Sequence, residues 1–331
     1  MTGEPVKKRA NVRDVARAAQ VSVATVSRVL NGGVRVAQPT RDRVEAAIHQ
    51  LRFVPNSAAR AMNSGRSRLV GALIPTLDQT IFARFIDALE AELDRHSLSL
   101  TVASTGGDPA REYDRAAKLL DLGVEALVVS GITRSAGFEA LIDRYDVPVV
   151  ATSYHDPGYR FPTVGYDNAA VARLALDHLT ALCHRRIAVL SGPTTFNDRT
   201  RSRVGALGTP GLIQMSTEFS FAGAADGVDR LLEQAPDLTA ILCTSDILAQ
   251  GALARLATRG IAVPDRMSVI GMDDLPSSAH VFPTLSTVHL PAKRMGQHTA
   301  EAVAAWVERG QVPPHLCLDA YVVHRASTRA L

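Results

Sequence analysis

The stretch N-V-R-D-V-A-R-A-A-Q-V-S-V-A-T-V-S-R-V-L-N, residues 11–31, decides how this chain is read. Val12, Val15, Ala16 and Ala19 recur at helical spacing on one face. A break at Gln20, Val21 and Ser22 follows, and a second apolar stripe resumes at Val26, Val29 and Leu30. The pattern predicts two short helices joined by a three-residue turn, the geometry that sets a recognition helix into a DNA major groove. Asn11 is placed to cap the first helix, with Asp14 where an acid favours the positive helix end. Ser22 repeats the capping role for the second helix by accepting from the backbone near Thr25, with first-turn amides left to meet a phosphate. A third helix over about residues 39–51 offers Val44, Ala47, Ile48 and Leu51 to close a small core.

On the second helix, Val23 and Ala24 would face base edges. Neither can hydrogen-bond a base, so they offer apolar contact, for instance to a thymine methyl. Arg28, one turn on, can donate a bidentate pair to guanine O6 and N7. Thr25, Ser27, Asn31 and Thr40 suit phosphate contacts that fix register. The charge distribution agrees: the chain carries +3, but residues 1–68 carry +9 and the rest −6. A basic head on a mildly acidic body fits a polyanion-binding module joined to a part that does not bind DNA. A merely solvated basic tail would explain Lys7, Lys8 and Arg9, but not the charges set on a helical pattern.

Next comes F-V-P-N-S-A-A-R-A-M-N-S-G, residues 53–65. Pro55 stops the preceding helix and Asn56 caps a new one over 57–62. That helix is too short to hold in water alone, and is expected to fold when two copies pack on DNA. The plain alternative is an ordinary inter-domain linker.

A length of 331 residues suggests two or three domains, each able to form a core. No apolar run approaches the roughly 20 residues that span a membrane, and no secretory signal is legible, so a cytoplasmic protein without a membrane partner is expected. Cys183, Cys243 and Cys317 are odd in number and widely spaced, and read as reduced core residues. From Leu69 onward, short apolar runs alternate with amphipathic stretches. Strands are predicted at 70–74, 98–103, 126–129, 149–151, 187–191, 240–243 and 269–272, and a helix over 82–95 buries Phe82, Phe85, Ile86, Leu89 and Leu93. This order argues for parallel sheets flanked by helices, whose ligands gather beyond the carboxyl ends of the strands. Those ends carry I-P-T-L-D (74–78), S-G (130–131), T-S (152–153), S-G-P (191–193), T-S-D (244–246) and G-M-D-D (271–274). Their hydroxyls and acids suit a polyhydroxylated ligand; helix capping is an equal reading for Asp78 and Asp246.

Together these residues resemble the lactose-repressor (LacI/GalR) family of bacterial transcription regulators. The match rests on D-V-A-x-x-A-x-V-S-x-x-T-V-S-R-V-L-N from Asp14, on V-x-x-A-I-x-x-L-x-F-x-P-N-x-x-A from Val44, and on the body. The resemblance implies an all-α helix-turn-helix head and an α/β periplasmic-binding-protein-like body of two doubly wound subdomains. It implies a head at 1–55, a hinge helix and linker at 56–67, and an effector-binding and dimerisation domain at 68–331. The N-subdomain would take about 68–166 and 291–317, and the C-subdomain about 167–290 and 318–331. In the family, residues aligned with Val23, Ala24 and Arg28 read the major groove, and the hinge enters the minor groove. Asn56, Ala59 and Met62 fall on that hinge, Met62 standing where the family has a leucine wedge. Ala37 replaces the usual Ser or Thr before the third helix. V-G-Y-D-N (164–168) matches the crossover between subdomains, and S-V-I-G-M-D-D (268–274) with F-P-T-L-S-T-V (282–288) the return side. Asp273 falls on the family's binding acid, Phe219 on a ligand-stacking aromatic (or plain core), and Arg203 near the pocket arginine. The expected effector contacts are therefore Thr76, Phe82, Ser130, Thr152, Arg203, Phe219, Ser245 and Asp273.

One departure stands out. After N-D-R-T-R-S-R-V (197–204) the family continues through a helix of two or three turns, whereas G-A-L-G-T-P-G-L-I-Q (205–214) arrives about ten residues early. Glycine and proline there predict a missing helix, a less covered C-subdomain face and a weakened or altered effector response.

An enzyme reading lacks its parts: the ten histidines form no H-E-x-x-H or Cys/His ligand spacing, and no G-x-S-x-G elbow or phosphate-cradling loop occurs. His178 and His184 read as surface or capping residues near a helix end. An exported solute-binding protein would share the body, but not the DNA-binding head. The expectation is a regulator, a repressor by family habit, binding a palindromic double-stranded operator as a homodimer. It would need no metal or other cofactor. Its small-molecule effector would be a sugar or sugar acid, the alternative being a purine or nucleoside. No heptad run follows residues 325–328, which favours a dimer over a tetramer.

Overall fold

Asn11 opens helix α1 (Val12–Ala18) through a capping box. Its side chain accepts from the N–H groups of Arg13 and Asp14 at 2.9 and 3.2 Å, and Asp14 accepts from the Asn11 N–H at 3.0 Å. Such a cap contributes about 1 kcal/mol. In this computed structural model, which describes residues 10–30, 36–53, 65–208 and 211–331, the chain divides at Ser67–Arg68 into two units. In the first, Ser22 Oγ accepts from the Thr25 N–H at 3.1 Å and starts α2 (Val23–Leu30). Helix α3 (Gln38–Leu51) begins without a side-chain cap, since Ala37 has no acceptor, and Pro39 supplies the preset φ of a first turn instead. Val15, Val26 and Val44 are fully buried and, with Ala16, Ala19, Val29 and Ala47, form the head's small core.

The second unit holds two six-stranded sheets. The first contains β1 (Leu69–Ile74), β2 (Ser99–Ser104), β3 (Ala126–Ser130), β4 (Val149–Thr152), β5 (Thr163–Gly165) and β11 (Leu316–Cys317), all parallel, in the order β11-β5-β4-β3-β1-β2. The second contains β6 (Ile187–Ser191), β7 (Ile213–Ser216), β8 (Ala240–Cys243), β9 (Ser268–Asp273), β10 (Ser286–His289) and β12 (Tyr321–Val323), in the order β12-β10-β9-β8-β6-β7. Among the described residues only β10 and β12 pair antiparallel. Helices α4 (Thr80–Arg95), α5 (Pro109–Asp121), α6 (Phe138–Tyr145) and α11 (Ala292–Arg309) flank the first sheet. Helices α7 (Asn168–Ala181), α8 (Asp198–Ala206), α9 (Phe221–Gln234) and α10 (Asp246–Thr258) flank the second, and a 3-10 turn spans Pro276–Ala279. The chain crosses between sheets three times, from β5 into α7, from β10 into α11 and from β11 into β12.

Each of the seven expected strands forms within one residue of its predicted ends. The other five are two to four residues long and were not expected from the apolar runs. Strand alternation feeds separate cores: Val70 and Ala72 pack into a cluster shared by both sheets, while Leu73 packs under α5 and α6.

Helix α8 runs nine residues, capped by Asn197, whose side chain accepts from the Thr200 N–H at 3.2 Å, and Gly205 lies in its last turn, followed by fully buried Leu207. Among the described residues no further helix stands between Ala206 and β7 at Ile213. Two expectations need correction. Cys183 and Cys317 are exposed and only Cys243 is buried, so the cysteines are not all core residues. His184 is not a surface residue; it is 1% exposed and holds the last residues onto β9. Its ring nitrogens lie 3.0 Å from Thr239 Oγ1, 3.0 Å from Ser268 Oγ and 3.1 Å from the Arg329 carbonyl.

Beside it, His178 stacks edge-on against His324 with ring centroids 4.2 Å apart and meets Thr328 Oγ1 at 3.0 Å. Desolvation, and then the neighbouring imidazoles of His324 and His184, push the His178 pKa from 6.5 down to about 4. The unfolded chain therefore binds the extra proton first, and the stability carried by neutral His178 is present above pH 6.5 and lost toward pH 4. The melting temperature of His178→Gln is expected to fall less between pH 7 and pH 5 than that of the parent, measured by calorimetry at each pH.

Candidate nucleic-acid interface and ligand cavity

Packing in the head decides which side of α2 is free. Val26 and Val29 are buried, and the opposite side leaves Ser22, Val23, Ala24 and Arg28 exposed. Val23 is 43% exposed, unusual for valine on so short a helix, and it stands at the start of α2 where a groove would be met. Thr25 and Ser27 are half-buried along the flank, and Thr40 is half-buried in the first turn of α3. Asp14, besides its place in the capping box, pairs with Arg17 at 3.8 Å, with Arg17 largely in solvent. The remaining expected contacts, Asn31, Asn56, Ala59 and Met62, lie outside the described residues.

In the second unit a cavity of about 610 Å³ opens beyond the carboxyl ends of both sheets. Six expected residues line it: Thr76, Phe82, Arg203, Phe219, Ser245 and Asp273. Local chemistry places each one. Thr76 follows β1, and its Oγ1 accepts from the Asp78 N–H at 3.0 Å, turning the chain into α4. Phe82 sits in the first turn of α4 under the Arg199 guanidinium, 5.6 Å from ring centroid to Cζ. Phe219 lies against Gly192 at the end of β6, where a Cβ would come within 2.1 Å of the ring, so only glycine admits that packing. Ser245 caps α10, accepting from the Leu248 N–H at 3.4 Å.

Arg203 and Asp273 form the buried polar floor. Arg203 is 6% exposed; its Nε donates to Asn168 Oδ1 at 3.0 Å and its Nη1 to the Thr244 carbonyl at 2.7 Å. Asn168 in turn donates to the Ser153 carbonyl at 3.0 Å, tying the first crossing to the end of β4. Asp273 ends β9 with φ +126°, a conformation that favours glycine and costs a non-glycine residue about 1–3 kcal/mol. Burial pushes its carboxyl well above the ordinary carboxylate range, with nearby Arg203 pulling the other way. Asp246 is structural: its carboxylate accepts from Thr287 Oγ1 at 2.5 Å, Ser278 Oγ at 2.6 Å and the Leu275 N–H at 2.8 Å.

Two expected effector residues do not reach this cavity. Thr152 is buried, with its hydroxyl donating to the Val129 carbonyl at 3.1 Å, because strand alternation turns it away and brings the next residue, Ser153, to the cavity wall. Ser130 lies in a small neighbouring recess, where its Oγ accepts from Arg199 Nη1 at 2.7 Å. Beside it Asp198 accepts from the N–H groups of Ile132 and Thr133 at 2.5 and 2.8 Å, joining α8 to the loop after β3. The sequence reading passed over Arg199, Thr200 and Asn168, which line the cavity or orient its groups. A signal was available: Arg199 and Arg203 are four residues apart, hence on one face of a helix. Among the described residues no His, Cys, Asp and Glu cluster is placed to hold a metal, and no helix is long and apolar enough to cross a membrane.

Two family profiles match the chain: "Bacterial regulatory proteins, lacI family" over residues 11–56 and "Periplasmic binding protein-like domain" over 176–328. The HTH-type transcriptional repressor PurR of Vibrio atlanticus is 28% identical over 301 residues, covering 88% of this chain and 90% of its own length. A solved structure of the lac repressor dimer bound to operator and the anti-inducer ONPF superposes with TM-score 0.88 at 24% identity, over 98% of this chain and 100% of that one; the likeness is one of fold. A transcriptional regulator CelR–cellobiose complex matches with TM-score 0.68 at 26% identity, over 96% of this chain and 100% of that one.

Replacing exposed Arg28 by Ala is expected to cost about 1–3 kcal/mol on a selected duplex and relax choice at one base pair. Gel-shift titrations on single-base variants of that duplex check this, and an equal loss on random DNA contradicts it.

Proposed function

The chain belongs to the lacI family of bacterial regulatory proteins and is a DNA-binding transcription regulator, and from that premise we propose a cytoplasmic repressor that binds a near-palindromic operator as a dimer and releases or tightens on it in response to a small polyhydroxylated effector. One observation carries the DNA half: Ser22, Val23, Ala24 and Arg28 form an exposed row on α2, held out by the buried Val15–Val26–Val44 core. Ser22, Thr25, Ser27, Asn31 and Thr40 take phosphates, and residues 56–62, with Asn56, Ala59 and Met62, take the minor groove.

The cavity supports the effector half. Hydroxyls and amides at strand ends, a buried acid at Asp273 and aromatic walls at Phe82 and Phe219 suit the edges and faces of a sugar. Thr76, Arg203 and Ser245 complete the contacts. The cellobiose held by the CelR relative favours this class over a nucleoside. Because the cavity spans the ends of both sheets, a ligand that prefers one angle between them biases the three crossings, and thereby the pairing of two heads. Operator affinity is expected to change by about 5–150-fold when the effector saturates, measured by fluorescence anisotropy on a genomic fragment selected by the protein. No change with any sugar or nucleoside, in a protein whose melting temperature none of them raises, overturns the effector reading.

The dimer reading rests on an apolar face of the second sheet's flank. Phe282 is 97% exposed and Phe221 57% exposed. Both are tied to α10: Gly251 abuts Phe221, and its neighbour Gln250 donates to Ser277 and Ser278 in the turn that leads to Phe282. A second copy of this chain covers that face. Phe282→Asp is expected to shift the protein from dimer to monomer in sedimentation velocity at micromolar concentration, with no loss of melting cooperativity.

A further inference from the structure

Arg68 is the first residue of the second unit, and its backbone is left-handed, with φ +57°. That region favours glycine, so an arginine there points to a use for its side chain that offsets the strain. Both sides of its backbone are fixed. Its N–H donates to Glu125 Oε1 at 2.6 Å, just before β3, and its carbonyl accepts from the Ser99 N–H of β2 at 2.8 Å. The guanidinium reaches the end of α4, where Nε donates to the Ser97 carbonyl at 2.8 Å and Nη2 to the His96 carbonyl at 3.0 Å. A cation at that place also meets the negative end of the helix. Nη2 lies 3.4 Å from Glu308, one residue before the end of α11.

Helices α4 and α11, of 16 and 18 residues, pack closely: at Gly296 a Cβ would stand 2.6 Å from the Phe85 carbonyl. Phe82 and Phe85 on α4 and Met295 on α11 line the cavity at the opposite ends of the two helices. Both helices therefore run from the cavity to one side chain, at the residue from which the chain leaves for the head. That side chain is 41% exposed, so it is a clamp at the surface and not part of the core.

We propose that Arg68 is a positioning residue for DNA binding: its fork roots the segment that carries the head onto the ends of α4 and α11, and so fixes the separation at which two heads meet two half-sites. This goes beyond the operator reading above and rests on it for the pair of heads. A tether with a fixed root concentrates the second head over one half-site spacing, whereas a loose root spreads it over several. The root also belongs to the same packed pair of helices as the cavity wall.

The test measures affinity of the full chain for a duplex that the protein selects from random sequence. The same duplex with one base pair inserted or removed at its centre, and a single half-site, are measured beside it. One base pair changes the separation by about 3.4 Å and the rotation by about 35°. The parent is expected to bind the respaced duplexes about tenfold or more weakly. Arg68→Gly keeps the left-handed backbone and drops the fork. It is expected to shrink that penalty about threefold or more, with half-site affinity unchanged and a cooperative melt. Arg68→Lys is expected to restore part of the penalty, and Glu308→Gln to weaken it less than Arg68→Gly. A merely structural role would lower the melting temperature without moving the spacing penalty. An unchanged penalty in Arg68→Gly, or a loss that falls equally on the half-site, overturns the inference and leaves the operator reading standing. A parent indifferent to spacing overturns both.

Discussion

The buried guanidinium of Arg203 is the point at which the architecture of the body and its chemistry meet. Its Nε holds Asn168, which begins α7 just past the first crossing and itself holds the Ser153 carbonyl at the end of β4; its Nη1 holds the carbonyl of Thr244 at the end of β8. One side chain thus links the ends of strands in two sheets through groups that cannot be left unpaired once buried. The cavity has its floor because those links exist.

A second set of contacts works at the cavity's edge. Asp198 accepts two backbone N–H groups from the loop after β3, and the left-handed Gly131 that precedes them has no room for a side chain, since a Cβ would stand 2.6 Å from that carboxylate. Arg199 reaches Ser130 from the same turn of α8. Helix α8 therefore serves both the wall of the cavity and its contact with the first sheet. A ligand that moved α8 would disturb both at once, which is the kind of discrete rearrangement that couples a cavity to a distant surface.

The head depends on a different economy. With so small a core, its stability leans on local devices: the Asn11–Asp14 capping box, the Ser22 cap and the proline that starts α3. Each of these is written in residue type at a fixed offset, and so each was legible. The exposed row on α2 is the complement of its buried stripe, which is why Val23, Ala24 and Arg28 could be picked out before any coordinates.

The body was legible where length gave a pattern. Seven strands of four to six residues were found nearly to the residue, and the strand-end hydroxyls and acids pointed to the end of each sheet at which the cavity opens. Helix α8 was less legible: the Asn197 cap and the burial of Thr200 and Arg203 hold it through nine residues, to Ala206. Thr152 and Ser130 were misplaced because sequence locates a strand's end but not which face its last residue presents, and one residue changes the face. The sequence by itself determined the helices of the head and the alternation of strands and helices in the body, because these follow from periodicity and capping among near neighbours, and its motifs carried the family resemblance. Only tertiary structure decided that Arg203 is buried between Asn168 and Thr244, that Asp273 is strained, and that His184 lies inside, because those facts come from residues tens of positions apart brought together by the crossings.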